Sequence, residues 1–165
     1  MEAITAEMLE LTEDSQRNKF LIFSLGKEEY GIDIRYVIEI VGIQTITAVP
    51  ELPDYIKGII NLRGKIIPVM DVRLRFGKEA LPYNDRTCIV VIDIEKISLG
   101  LIIDSVSEVL ALPETEITPP PQISKDFQHR YVKGIGKTGR NIKLLLDCEQ
   151  LLNGDEAQTL NQNIS

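Results

Sequence analysis

Short apolar runs broken by turn residues recur along the chain from residue 19 onward. Phe20–Leu25 is one such run; it ends at Gly26-Lys27 and resumes over Tyr30–Ile34, which predicts a β-hairpin. Over Asp33–Val41 the apolar positions Ile34, Val37, Ile38 and Val41 fit a 3.6-residue period, so a helical turn and a strand both remain open there. Ile56–Leu62 and Lys65–Met70 are two runs joined at Arg63-Gly64, where Gly64 supplies the positive φ of a tight turn. Asp71–Phe76 can begin a short helix, with Asp71 as its N-cap and Gly77 closing it. Ile97–Ile103 and Val132–Ile135 read as further strands, and Leu144–Leu152 runs from strand into helix. Many short strands between turn residues are the pattern of small closed barrels.

The pattern occurs twice. Residues 19–41 align without gaps on residues 88–110 (88 − 19 = 69), placing Gly31 on Gly100, Val37 on Val106 and Glu39 on Glu108. Residues 55–72 align on residues 131–148 (131 − 55 = 76), placing Tyr55 on Tyr131, Lys57-Gly58-Ile59 on Lys133-Gly134-Ile135 and Asp71 on Asp147. The larger second offset requires an insertion inside the second copy, which contains the stiff Pro119-Pro120-Pro121. The expected organisation is a first copy over 18–86 and a second over 87–152. The polar tails 1–17 and 153–165 lack a core pattern and are expected to fray.

Composition narrows the function. The chain has 165 residues, 44% of them hydrophobic, but no Trp and only 5% aromatics, so Ile, Val and Leu carry the core and favour strands. A formal charge of −7 opposes duplex binding, which needs clustered cations to displace counterions, and gives no support for adhesion to anionic lipid. Cys88 and Cys148 lie far apart inside apolar runs, as reduced core thiols do. The acidic N-terminus does not have the form of a secretory signal, and no apolar run approaches the roughly 20 residues of a membrane span. A cytoplasmic location is the expectation.

A search for catalytic chemistry ends without a candidate. His129, the one histidine, sits in the polar stretch KDFQHRY and reads as a surface loop residue. Asp71 and Asp147 hold the same place in each repeat, where a helix cap explains them and paired-carboxylate catalysis does not. KGIGKTGR at 133–140 resembles a phosphate loop but lacks the G-x-x-x-x-G-K-[ST] spacing, so strand–turn–strand is expected. No metal ligand set, cofactor motif or enzyme signature is present. What the repeats do not share is the turn Asn61-Leu62-Arg63-Gly64, which aligns on Lys137-Thr138-Gly139-Arg140. Arg63 at a hairpin tip would offer a planar fork of donors to a carboxylate or carbonyl.

Lys57–Gly77 (KGIINLRGKIIPVMDVRLRFG), with EEYGIDI at 28–34, VIEI at 37–40 and IDSVSEVL at 103–110, resembles the CheW family of chemotaxis coupling proteins over roughly residues 18–152. The resemblance implies an all-β fold with short helices, in which two five-stranded SH3-like barrels pack side by side. It also implies a non-enzymatic scaffold that bridges the cytoplasmic tips of methyl-accepting chemoreceptors to the regulatory domain of the chemotaxis histidine kinase. It needs no cofactor, nucleic acid or membrane insertion, and it joins membrane-bound receptor arrays only by recruitment. By the same resemblance Arg63, Asn61 and Glu39 contact the receptor, and Val37, Ile38, Cys88 and Val109 line a groove for its helical hairpin. Val41, Ile43, Thr45 and Ile46 are the expected kinase-facing edge. A small-barrel nucleic-acid binder using Arg63, Arg73 and Arg75 is the rival reading, weakened by acidity and scarce aromatics.

Overall fold

Each apolar run becomes a strand because β-branched side chains pack well on a pleated surface buried on both faces. The computed structural model describes residues 17–120 and 130–152; both tails, His129 and most of the proline-led insertion lie outside them. The first repeat contributes β1 (Lys19–Leu25), β2 (Glu28–Asp33), β3 (Val37–Gly42), β4 (Ile56–Leu62) and β5 (Lys65–Asp71). The second contributes β6 (Cys88–Ile94), β7 (Ile97–Ile103), β8 (Ser105–Ala111), β9 (Ile117–Thr118), β10 (Val132–Thr138) and β11 (Asn141–Leu146). The ambiguous Asp33–Val41 stretch divides: Ile34–Tyr36 forms a 3-10 turn, and β3 follows. The Asp33 carboxylate accepts from the Arg35 amide at 3.0 Å and so starts that turn.

Residues 133–140 are strand–turn–strand, as expected, and both aspartates are caps. Asp71 begins helix α1 (Val72–Arg75) and accepts from the Leu74 amide at 3.4 Å; Asp147 accepts from the Glu149 amide at 3.1 Å. Gly77, at φ 74°, closes α1 by donating to the Leu74 carbonyl.

The two sheets cut across the two repeats. One runs β8-β1-β2-β11-β10-β9 and the other β3-β6-β7-β5-β4. The leading hairpin of each repeat is therefore paired with the trailing strands of the other. The sixth strand of the first sheet is the two-residue β9, which pairs with Ile135 and Gly136. Its counterpart in the second sheet is the single bridge Thr47–Ile59. These are the two SH3-like subdomains.

Register follows the same symmetry. The β1–β8 pair Phe20–Leu110 corresponds to the β3–β6 pair Ile89–Val41, and each ladder carries a bulge at the corresponding place. The exchange is made at parallel pairings, Gly31 opposite Leu145 and Gly100 opposite Val69. A Cβ at Gly31 would lie 2.8 Å from a Leu145 methyl, and one at Gly100 would lie 2.8 Å from both Val69 and Ile89. The repeated glycine is thus a close-approach requirement of the exchange.

Strand alternation sorts the apolar residues into three cores. Leu21, Phe23 and Leu25 of β1 and Val90 and Ile92 of β6 meet in the central cluster between the sheets. The opposite faces fill the separate interiors: Phe20 and Ile22 in one, Ile89 and Val91 in the other. On the seam, the buried Arg75 guanidinium stands 4.2 Å from the Tyr55 ring centre and 5.2 Å from that of its repeat mate Tyr131. Its Nε donates to the Leu151 carbonyl at 2.8 Å.

Because each sheet takes strands from both repeats, neither half of the chain holds a complete core. Residues 18–86 and 87–152 expressed separately are expected to be unfolded by circular dichroism, and to recover strand signal when mixed. Independent, cooperative melting of either half would contradict the exchanged pairing.

Candidate interaction surface

The β4–β5 hairpin is closed by Arg63 at φ 53° and Gly64 at φ 87°. Two consecutive positive φ values are the mark of the I′ turn, whose twist matches that of the flanking strands. Gly64 alone was expected to be left-handed; Arg63 is as well, and for a residue with a Cβ that conformation costs roughly 1–2 kcal/mol. The Asn61 carboxamide oxygen accepts from the Gly64 amide at 2.8 Å and braces the turn. In the second repeat the corresponding left-handed position is held by Gly139, at φ 60°.

The Arg63 guanidinium lies 71% exposed and pairs with Glu39 of β3. β3 and β4 are the opposite ends of their sheet, so this pair, together with the Thr47–Ile59 bridge, joins the two edges. Exposed Arg63 and Asn61 and half-buried Glu39 therefore form one cluster. The repeat counterpart of Glu39 is Glu108, exposed on β8, and the counterpart of Arg63 is Gly139, which has no side chain to reach it.

The aliphatic positions divide between two cores. Val37 and Cys88 are each 4% exposed and belong to the central cluster, against which Val109 packs with partial exposure. Ile38 instead packs into the interior of the β3–β7 sheet, away from these three. Ile40 of edge strand β3 and Val106 of edge strand β8, not among the sequence-predicted site residues, are also half-buried against the central cluster. The pairing of Val37 with Val106 in the repeat was the signal that could have located them. Burial raises the Cys88 thiol above its usual range, opposed by the nearby Val106 backbone, so the group stays a neutral packing element. Among the expected kinase-edge residues, Val41, Ile43 and Ile46 pack against the sheet interior, and Thr45 is exposed.

One ionic junction was not visible in sequence. Arg73 of α1 meets Asp104 in a fork, with Nε donating to Oδ1 at 2.8 Å and Nη2 to Oδ2. The Gly26 amide, in the β1–β2 turn of the other sheet, donates to the same Oδ2 at 2.7 Å. Asp104 thus ties the two subdomains beside a cavity of about 250 Å³ whose wall includes Tyr83, Arg86 and Thr87. The Tyr83 hydroxyl donates to Asp71 at 2.8 Å, so both aspartates on this wall are engaged in structure. Among the described residues, no three His, Cys, Asp or Glu side chains are grouped to hold a metal ion.

Two outcomes follow from these contacts. Asn is a favoured residue in the left-handed position Arg63 occupies, so Arg63→Asn is expected to keep the thermal midpoint or raise it by the equivalent of ~0.5–1 kcal/mol. A midpoint clearly lowered would mean that Arg63 supports the fold. The hydrogen bond from Arg73 and its charge hold the Asp104 carboxyl below its ordinary range. Its contribution is therefore present above the unfolded carboxyl value and is lost as pH falls through the lower folded value. Asp104→Asn is expected to destabilise the protein at pH 7, with a loss that shrinks on acidification; equal losses at pH 7 and pH 3 would remove Asp104 from the acid response.

Comparison with known proteins agrees with this geometry across nearly the whole described region. A family model described as CheW-like domain matches residues 19–156. The chemotaxis protein CheW of Klebsiella aerogenes is 38% identical over 151 residues, covering 92% of this chain and 91% of the relative. That of Treponema pallidum is 34% identical, with 89% of each chain covered. The crystal structure of the scaffolding protein TtCheW from Thermoanaerobacter tengcongensis superposes with a TM-score of 0.77 at 39% identity, covering 84% of this chain and 94% of that one. On the family match and these identities, the chain belongs to the CheW-like domain family.

Proposed function

We propose that this protein is a chemotaxis scaffold that holds chemoreceptor cytoplasmic tips in register with the regulatory domain of the histidine kinase. The observation that carries the reading is Arg63. An exposed guanidinium occupies a left-handed turn position that glycine fills in the other repeat. The fold gains little from a strained arginine there, and a partner's carboxylate or carbonyl gains a fork of donors. Family membership and the likeness to a protein titled a scaffolding protein support the same reading.

The receptor surface combines Arg63, Asn61 and Glu39 with the aliphatic wall of Ile40, Val106 and Val109 above buried Val37 and Cys88. A helix laid against that wall would bury aliphatic surface while Arg63 fixes its position. Ile38 supports the surface from within the sheet. Kinase contact is assigned to the ridge leaving β3, where Thr45 is the accessible group and Val41, Ile43 and Ile46 hold the ridge in shape. Coupling of this kind is mechanical: a shift of the receptor tip changes how the kinase is held. Affinity in the micromolar range, about 8 kcal/mol, suits reversible assembly at membrane-bound arrays. No helix among the described residues is long and apolar enough to cross a membrane, and attachment comes through the receptor.

Among the described residues, the cations and rings named by the nucleic-acid reading are mostly committed elsewhere. Arg75 is buried and Arg73 is committed to Asp104, and Phe20, Phe23, Phe76, Tyr30, Tyr55 and Tyr131 are core rings with no face free for stacking.

Arg63→Glu tests the central assignment, because the substitution is exposed and reverses one charge. Expected are an unchanged circular dichroism spectrum, receptor binding weakened by at least the roughly 2 kcal/mol of an interface hot spot, and loss of receptor-dependent kinase stimulation. A folded variant that stimulates the kinase normally would remove Arg63 from the contact.

A further inference from the structure

The chain's net charge of −7 is not spread over the fold. Residues 1–16 carry −5, from Glu2, Glu7, Glu10, Glu13 and Asp14, and residues 153–165 carry −2, from Asp155 and Glu156. Lys125 and Asp126 cancel, so the two described stretches together are electroneutral. On this neutral body one hairpin stands out. Across β10–β11, Lys133, Lys137 and Arg140 are exposed and form no ion pair with any described residue. Ile142 lies directly opposite Lys137 in register and is 57% exposed, the highest value among the large apolar residues described as exposed. The acids around it are largely committed elsewhere: Asp33, in whose field Lys133 lies, is paired with Arg35, Glu28 is taken by Lys78, and Glu116 makes no ion pair with Lys137.

We propose that this hairpin is the docking site of the chain's own acidic N-terminal segment, residues 1–16. The segment has the complementary chemistry: five side-chain carboxylates and no Lys or Arg, interleaved with Met8, Leu9 and Leu11 as apolar partners for Ile142. Reach is sufficient. The described chain starts next to the Lys19 end of β1, and the β10–β11 tip lies toward that strand's other end, since β11 runs parallel to β2. Seven strand residues cover roughly 23 Å, whereas 16 extended residues span about 53 Å. Tethering gives an effective concentration on the order of millimolar, so an intrinsic dissociation constant of about 1 mM already half-occupies the site.

Carbodiimide cross-linking of the full chain tests this, because it joins carboxylate to lysine only at direct contact. Natural-abundance and ¹⁵N-labelled copies are mixed, and the products are mapped by mass spectrometry. Links from Glu7, Glu10, Glu13 or Asp14 are expected on Lys133 and Lys137 within one copy. They should fall about fivefold in 1 M salt, where screening acts within ~3 Å. They should fall likewise in the exposed double variant Arg140→Glu, Ile142→Ser, whose circular dichroism stays that of the parent. Links distributed over all exposed lysines alike, or indifferent to salt and to the variant, would overturn the proposal. Links joining a labelled to an unlabelled copy would overturn it too, by making a second copy the occupant.

Discussion

Two parallel strand contacts, Gly31 against Leu145 and Gly100 against Val69, are the constraint on which the rest of the structure depends. At each, a backbone without a side chain lets the leading hairpin of one repeat approach the trailing strands of the other. The consequence is an interlocked pair of sheets whose shared core is larger than either interior. A small barrel buries too little surface to be robust alone, and the exchange gives two of them one common core. Arg75 lies at the same junction, between the repeat-related Tyr55 and Tyr131, so symmetry-related rings contain a charge that has no arginine counterpart in the second repeat. Burial lowers its pKa from the usual arginine value, a measure of how far the seam excludes water.

A scaffold transmits position only if its two halves do not move independently. The chain supplies that rigidity covalently, since it passes between the sheets as continuous backbone at β2–β3 and again at β7–β8. Asp104 adds an electrostatic tie, accepting at once from α1 and from the β1–β2 turn. Ile40 of edge strand β3 and Val106 of edge strand β8, both packed on the shared core, are therefore fixed relative to each other. On the proposed reading, a helix docking there would meet a preformed surface, which lowers the ordering cost of association.

Much of the fold was legible in sequence because strands buried on both faces write themselves as unbroken apolar runs, and a duplication writes itself twice. The turns at Gly26 and Gly64, the caps at Asp71 and Asp147, and the β10–β11 hairpin all had local signals. The exchange had none, because pairing partners far apart in sequence leave no periodic trace in either segment. The candidate site divides the same way. Arg63, Asn61 and Glu39 stood out through a motif and a mismatch between repeats, and the structure brings them together. The family resemblance groups Ile38 with Val37, and the bulge between Val37 and Glu39 and the strand pleat send it to another core. The Arg73–Asp104 junction joins residues 31 positions apart and depends wholly on tertiary placement.

The differences between the repeats carry more functional information than their likeness. Shared residues are those the exchange requires: the close-approach glycines, the capping aspartates, the seam tyrosines. Where the copies part, structure no longer dictates the choice. The first hairpin carries a strained, exposed Arg63 bound to Glu39, whereas the second relaxes that position to Gly139 and leaves Glu108 unpaired across the corresponding gap. The interior does likewise, holding Ile67 in one sheet and the Lys143–Glu29 pair at the matching place in the other. A buried lysine with one carboxylate partner adds less stability than the isoleucine it matches, since desolvation offsets much of the attraction. Such asymmetry gives a pseudo-symmetric body two chemically distinct ends, which is what the proposed coupling of two different partners in fixed relation would require.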